Sequence, residues 1–537
     1  MTNHRKTWKY STEQLLKMET YSHYFFHILS FSGKSVLQNF LLISTISLFL
    51  LKVVQRWAGF WSKSLEEDPY KAYKALRGPR TLSPTGNVLW FILKNDLLQK
   101  FVDYALKYGP IYRLDFFFEE VICLTSPEAT QALLSSQNYG HYRHGQLQEL
   151  MWPENIDSLL VLPGGEKWKS RRKLLSSPFK YKALQVHNPC FHKHANRLVQ
   201  QLETRFKDGA GSEGILSDLL TVCTFGISSE TLLGVDLDET EVGAGTLFCK
   251  NVNIFYKNVI GRCTRPWLLI PWIWKRSSAY QETTEAIASM RRIAGKVIEK
   301  YKHKMENDSR TDSEPNDTMI EVMLRKGADE KLIFDEVTIM LTVANDTTPI
   351  STEYALFILA LHPEHQERCR QEIDKVFNDP NMFKDGVLKF EALTELKYLE
   401  RCIQETLRMN PIVMIMRRLE APLRINEELM GFPCSYRPIA VHNQPQYYPD
   451  PEKFDPDRFL PEKVRERSVY GYIPFSVGQR SCIGMKLAIL ELKIMIATIL
   501  RNFEVRTPER REDVKLVVVG ITKPSKPIRF ILTRRNI

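Results

Sequence analysis

Strand-like alternation is confined to the two ends of the main body of this chain, and nearly everything between repeats at helical spacing. Residues 111–118 and 121–124 alternate as a β-hairpin, which gives way at Ser126-Pro127-Glu128 to a helix with proline at its first position. From there to about residue 502 helical periods dominate, most plainly in 335–362, 396–409 and 485–500. Segments 514–519 and 527–533 return to strand character around a Gly and Pro turn. The stretch 304–317, polar with Asn, Asp, Ser and Pro, predicts an exposed loop. No internal repeat or low-complexity tract interrupts the series. The expectation is a mainly α protein with a minor β-sheet region.

Ahead of that body the pattern changes. Between Lys34 and Lys52 lie 17 residues without a charge, at the lower limit of the roughly 17–25 needed to span a bilayer. Trp57, Trp61 and the basic Lys52, Arg56 and Lys63 follow as interface anchors do. No small-residue cleavage site is evident, so the reading is a retained signal-anchor over 35–57, preceded by an extension over 1–34. Basic residues flank both sides, so charge alone does not orient it. A polar linker and a hinge around Gly78-Pro79 and Pro84-Thr-Gly86 fill 58–88, leaving 89–537 as one large domain. Within it, segment 266–274 holds Trp267, Trp272, Trp274 and two prolines. It suits a loop dipping into a lipid interface, and equally an ordinary core segment.

Composition narrows the function classes. At 537 residues and 43% hydrophobic content the chain has ample material for a large core. The net charge of +11 is compatible with an anionic membrane surface or an acidic protein partner. That charge is spread too widely for a nucleic-acid arm, and no nucleic-acid motif appears. The nine cysteines are scattered with no Cys-x-x-Cys, which speaks against a zinc site or a disulfide framework and for a body on the reducing, cytosolic side of a membrane.

One cysteine stands out. The run Phe475-Ser-Val-Gly478-Gln-Arg480-Ser-Cys482-Ile-Gly484 leads directly into an amphipathic helix. A helix N-terminus offers free N–H groups and a positive dipole end, both favouring a charged sulfur, as in a thiolate bound to iron. Gly478 and Gly484 let the backbone bend and approach a flat cofactor, and Arg480 is suited to a carboxylate on it. This pattern resembles the haem-binding loop of the cytochrome P450 family. The resemblance implies a P450 fold around a buried haem b, with Cys482 as the iron ligand.

Three further motifs fall in with it. Glu405 and Arg408 share one helix face, and Arg458 follows in Phe454-Asp-Pro456-Asp457-Arg458-Phe459; in the family these three lock together near the haem loop. Trp168 and Arg172, four apart on a basic helix, present an indole N–H and a guanidinium suited to a haem propionate, with Arg417 or Arg418 as a further donor. The long helix carries Asn345-Asp346-Thr347-Thr348-Pro349, a costly acid and alcohol pair in apolar surroundings. The resemblance sets it over the distal haem face, Asp346 relaying protons and Thr347 hydrogen-bonding the oxygen. Pro349 predicts a kink that frees the Asn345 carbonyl.

The wording of 165–178 and 474–493 looks most like the fatty-acid-hydroxylating branch, family four, and its insect relatives. Many of those carry a glutamate where Val343 stands here, and Ala344 replaces a usual glycine; an ester to haem at this position is impossible. The resemblance implies a monooxygenase of the endoplasmic reticulum (microsomal) membrane, with its body in the cytosol. It would insert one atom of O2 into an apolar lipid, hormone or xenobiotic, using electrons from an NADPH-dependent flavoprotein reductase. Lys169, Arg171, Lys173, Lys463, Arg465 and Lys486 are candidate docking charges. A reductase-independent haem-thiolate isomerase or dehydratase, and a catalytically impaired haem-binding protein, are the alternatives; the Asp346-Thr347 pair argues against the first.

Overall fold

In the computed structural model the chain is described from Tyr73 to Asn536, apart from short interruptions of which the longest are 88–96, 136–155 and 307–317. The anchor, the linker and most of the hinge lie outside the described residues, as does the 307–317 part of the expected loop. Among the described residues no helix is long and apolar enough to cross a membrane.

Strands β1 (Ile111–Phe116) and β2 (Glu119–Leu124) form the expected antiparallel hairpin, Ile111 opposite Leu124. Helix α1 (Pro127–Ser135) starts at the anticipated proline, with Ser126 Oγ accepting the Ala129 N–H at 3.2 Å. There follow α2 (Glu166–Leu175), α3 (Asn188–Arg205), β3 (Glu213–Ile215), α4 (Ser217–Ser228), α5 (Ala244–Thr264), α6 (Ser278–Glu306) and α7 (Glu330–Leu361). After these come α8 (Pro363–Phe377), α9 (Lys397–Met409), β4 (Ile415–Arg417), β5 (Cys434–Tyr436), α10 (Met485–Asn502), β6 (Phe503–Arg506), β7 (Leu516–Val519), β8 (Ile521–Pro524) and β9 (Arg529–Arg534). One sheet has the order β1-β2-β5-β4, with β2 and β5 parallel; a second runs β6-β9-β3, and β7 pairs with β8. The hinge leans on the first sheet: Arg113 N–H donates to the Arg77 carbonyl at 3.0 Å. A Cβ on Gly78 would meet the Arg113 carbonyl oxygen at 2.5 Å, so only glycine fits there.

The core is a bundle in which α7 packs on α4, α6 and α10, while α3 packs on α4 and α10. Helix α7 is buried on most sides, as a helix through the middle of a large protein must be. Five of its polar residues are accommodated within the helix itself: Thr342, Asn345, Thr347, Ser351 and Thr352 each donate to the carbonyl four residues back, at 2.7–3.2 Å. The helix is continuous across Pro349, so the proline does not end it.

Segment 266–274 divides between the two readings offered for it. Residues Pro271–Lys275 form a short helix rather than a loop. Trp274 is buried under the Arg262 guanidinium, 4.9 Å from the ring centre, and Leu268 is buried beside it. Trp272 remains exposed, and Trp267 lies outside the described residues.

Candidate functional site

Two left-handed residues shape the loop before α10. Ser476 (φ 61°) and Gly478 (φ 82°) turn the chain, and the Cys482 N–H closes the turn onto the Phe475 carbonyl at 2.9 Å. At Gly478 the glycine is required twice over: a Cβ would be strained and would sit 2.6 Å from the Leu134 carbonyl oxygen. Gly484, the residue before α10, has an ordinary backbone and only loose contact with Phe179, so nothing in the polypeptide demands a glycine there. Cys482 is exposed, whereas Cys123, Cys190, Cys223, Cys369 and Cys402 are buried and Cys249 half-buried, the usual state of a structural thiol.

Helix α2 borders the same loop. Trp168 is buried, and the Arg480 guanidinium stacks over its ring at 4.2 Å. Arg480 also donates to the carbonyls of Leu162 (2.6 Å) and Leu159 (3.5 Å). Arg172 is half-buried; burial pushes its pKa down, while the nearby Cys482 sulfur pulls it back up. The structure thus brings Trp168, Arg172, Arg480 and Cys482 into one neighbourhood. Arg417 is buried on β4, and Arg418 lies outside the described residues.

On α7 Val343, Ala344, Asp346 and Thr347 are half-buried, set among the enclosed Leu341, Thr342, Asn345 and Thr348. Burial pushes the Asp346 carboxyl up to about 6, with Lys523 on β8 and the Tyr256 hydroxyl on α5 pulling it back. Its Oδ2 is enclosed without a hydrogen bond. Tyr256 and Lys523 were not anticipated from the sequence, because nothing local marks two residues so far from 346 as its neighbours.

Glu405, Arg408 and Arg458 meet as expected. Arg408 clasps Glu405 with two hydrogen bonds of 2.7 and 2.9 Å, both side chains fully enclosed, and Arg458 Nε stands 3.3 Å from the same carboxylate. Burial still pushes the Glu405 pKa up against these cations. Arg408 also donates to the His442 carbonyl at 2.9 Å, and His442 Nε2 accepts the Ile473 N–H at 2.9 Å. Burial pushes His442 down to about 3, so the ring is neutral and serves as an acceptor. The network therefore reaches the stem of the cysteine loop through a histidine that no sequence signal identified.

One candidate docking charge must be withdrawn. Arg171 is buried and donates to Glu336 at 2.8 Å, so it presents no charge to a partner. Lys169, Lys173, Lys463, Arg465 and Lys486 are exposed.

The cytochrome P450 family model matches residues 76–532. The chain belongs to the cytochrome P450 family. Among P450s it is similar to cytochrome P450 4c3 of Drosophila melanogaster, 28% identical over 92% of this chain and 95% of that one. It is also similar to cytochrome P450 4V2 of Homo sapiens, at 27% over 91% and 94%. Cytochrome P450 4c21 of Blattella germanica matches at 25% over 92% and 98%. The resemblance to the family-four type thus holds over nearly the whole chain. P450s are monooxygenases that bind haem b through a cysteine thiolate. The residues here fit that group: an accessible thiol before a helix, an arginine within its electrostatic reach, and an indole–guanidinium pair beside it.

Proposed function

We propose that this P450 is a membrane-anchored, microsomal monooxygenase that hydroxylates an apolar small molecule, with electrons from an NADPH-dependent flavoprotein reductase. The observation carrying this is the exposed Cys482 in its left-handed loop, with Arg172 in electrostatic contact. Cys482 ligates the iron; Trp168, Arg172 and Arg480 hold the propionates; and Phe475, Gly478 and Gly484 shape the loop. Bound haem supplies the oxygen chemistry, and the remaining work belongs to the protein. Asp346, with a pKa near 6, exchanges protons readily close to neutrality, which suits a relay. Thr347, one residue on, offers a hydroxyl to an acceptor in the cavity. The Glu405–Arg408–Arg458 network holds the loop stem in register and takes no part in chemistry. The segment 35–57 anchors the body to the endoplasmic reticulum membrane, and the exposed lysines and arginines around the loop receive the reductase.

The test is the reduced, carbon-monoxide-bound spectrum of the purified holoprotein, followed by turnover with NADPH and reductase. The red-shifted Soret band of thiolate ligation is expected, and Cys482→Ser should abolish it. Persistence of the band in that variant overturns the ligand assignment. Substrate consumption that needs no reductase, such as rearrangement of a lipid hydroperoxide, overturns the monooxygenase reading.

A further inference from the structure

Residues 158–162 form a tight turn, closed by the Val161 and Leu162 N–H groups on the Ser158 carbonyl at 3.1 and 2.9 Å. The turn is gripped from two sides. Its carbonyls at Leu159 and Leu162 hold Arg480, as described above. Two adjacent acids of α7 hold its entry and its amide: Asp335 accepts the N–H of Asp157, the residue just before the turn, at 3.1 Å, and Glu336 accepts the Leu159 N–H at 2.8 Å. The two acids differ sharply. Asp335 is shared with Lys331 (2.7 Å) and Arg291 (3.2 Å), both partly in solvent. Glu336 is fully enclosed, and the same oxygen that takes the Leu159 amide also takes Arg171 at 2.8 Å.

Arg171 lies on α2 between Trp168 and Arg172. A single carboxylate oxygen therefore ties together the helix that carries Trp168 and Arg172 and the turn whose carbonyls hold Arg480. We propose that Glu336 is a positioning residue for haem: by clamping α2 to the 158–162 turn it sets the spacing of Trp168, Arg172 and Arg480 and so governs how firmly the propionates are held. This rests on the assignment of those three residues to the propionates. Glu336 lies ten residues, about three helical turns, ahead of Asp346 and touches neither the cofactor loop nor the relay. A burial this complete is expensive for a carboxylate, and a mere ion pair here could be replaced by apolar side chains without loss. The amide bond to Leu159 is what such a replacement cannot reproduce.

The experiment measures haem transfer from the holoprotein to excess apomyoglobin, alongside urea unfolding. Glu336→Gln keeps an oxygen for the Leu159 amide and should release haem within about threefold of the wild-type rate. Glu336→Leu should release it about tenfold faster, the scale of one lost buried hydrogen bond. The double variant Arg171→Leu/Glu336→Leu removes the charge pair without leaving a lone buried charge; its urea midpoint should fall less than that of Glu336→Leu, and it should still lose haem about tenfold faster, because the Leu159 amide stays unpaired. Wild-type release from the double variant overturns the proposal and leaves Glu336 a purely structural partner of Arg171. Arg480→Gln is the control: if it does not speed release, the propionate assignment itself falls. If it does while both leucine variants hold haem normally, only the role of Glu336 is lost.

Discussion

Glu491 lies on α10, nine residues beyond Cys482, and is fully enclosed where α10 packs on α7. Its nearest polar neighbours are the hydroxyls of Thr348 and Ser228, and its Oε1 has no hydrogen bond. Burial raises its pKa from an ordinary 4.5 to about 8. In the unfolded chain the acid ionises near its ordinary value, whereas in the folded protein it keeps its proton. Stability is therefore greatest below the unfolded value and declines as pH rises toward 8, by about 1.4 kcal/mol per unit. At pH 7 the accumulated cost is roughly 3 kcal/mol, and above pH 8 it levels off near 5 kcal/mol. Glu491→Gln removes the titration and keeps the shape. Its packing adds a constant offset, but its stability relative to the wild type should climb by roughly 3 to 4 kcal/mol between pH 5 and 8. Urea unfolding of both holoproteins at half-unit pH steps, followed by circular dichroism, measures this difference directly. Other buried acids titrate in both proteins and cancel. A difference that stays flat across that range refutes the reasoning.

Arg408→Lys cannot reproduce the paired hydrogen bonds to Glu405 or reach the carbonyls of His442 and Pro451 together; it should cost about 3 kcal/mol or more, read as a fall in urea midpoint and in holoprotein yield. Gly478→Ala combines a left-handed backbone with a clash against Leu134 and should destabilise by at least about 2 kcal/mol in the same assay. Gly484→Ala should leave apoprotein stability within about 0.5 kcal/mol and lower the haem content, because only the cofactor asks for a glycine there. Removing either group that pulls the Asp346 pKa down, by Tyr256→Phe or Lys523→Met, should move the corresponding limb of the pH–turnover profile upward from about 6. An unmoved limb would detach Asp346 from the relay.

Local pattern carried the elements well and long-range partnership poorly. The hairpin at 111–124 and the starts of α1 and α10 lie where turn chemistry and periodicity put them. Helix α7 begins five residues earlier than its apolar stripe suggested, because Asp329 caps it by accepting the Leu332 N–H at 2.7 Å. The pairing of β9 with β3, some three hundred residues apart, has no local signature. The same limit divides the site. Trp168, Arg172, Arg480 and Cys482 could be picked out from spacing and resemblance. Adjacent arginines could not be told apart: Arg171 points to a buried acid and Arg172 toward the cysteine, a difference of one helical step that only packing decides. Glu336, Glu491 and His442 looked like ordinary helix or loop residues, since enclosure of a polar group depends on neighbours distant in the chain.

Thr347 has one hydroxyl proton, and at rest it is given to the Val343 carbonyl at 3.2 Å. That carbonyl sits within an unbroken helix and is also served by the main chain, so losing the side-chain bond leaves it satisfied. Turning the hydroxyl outward thus costs on the order of 1 kcal/mol, little more than thermal energy. The group behaves as a sprung contact: stowed against its own backbone when the chamber offers nothing, and swung out by whatever arrives with a lone pair to spare.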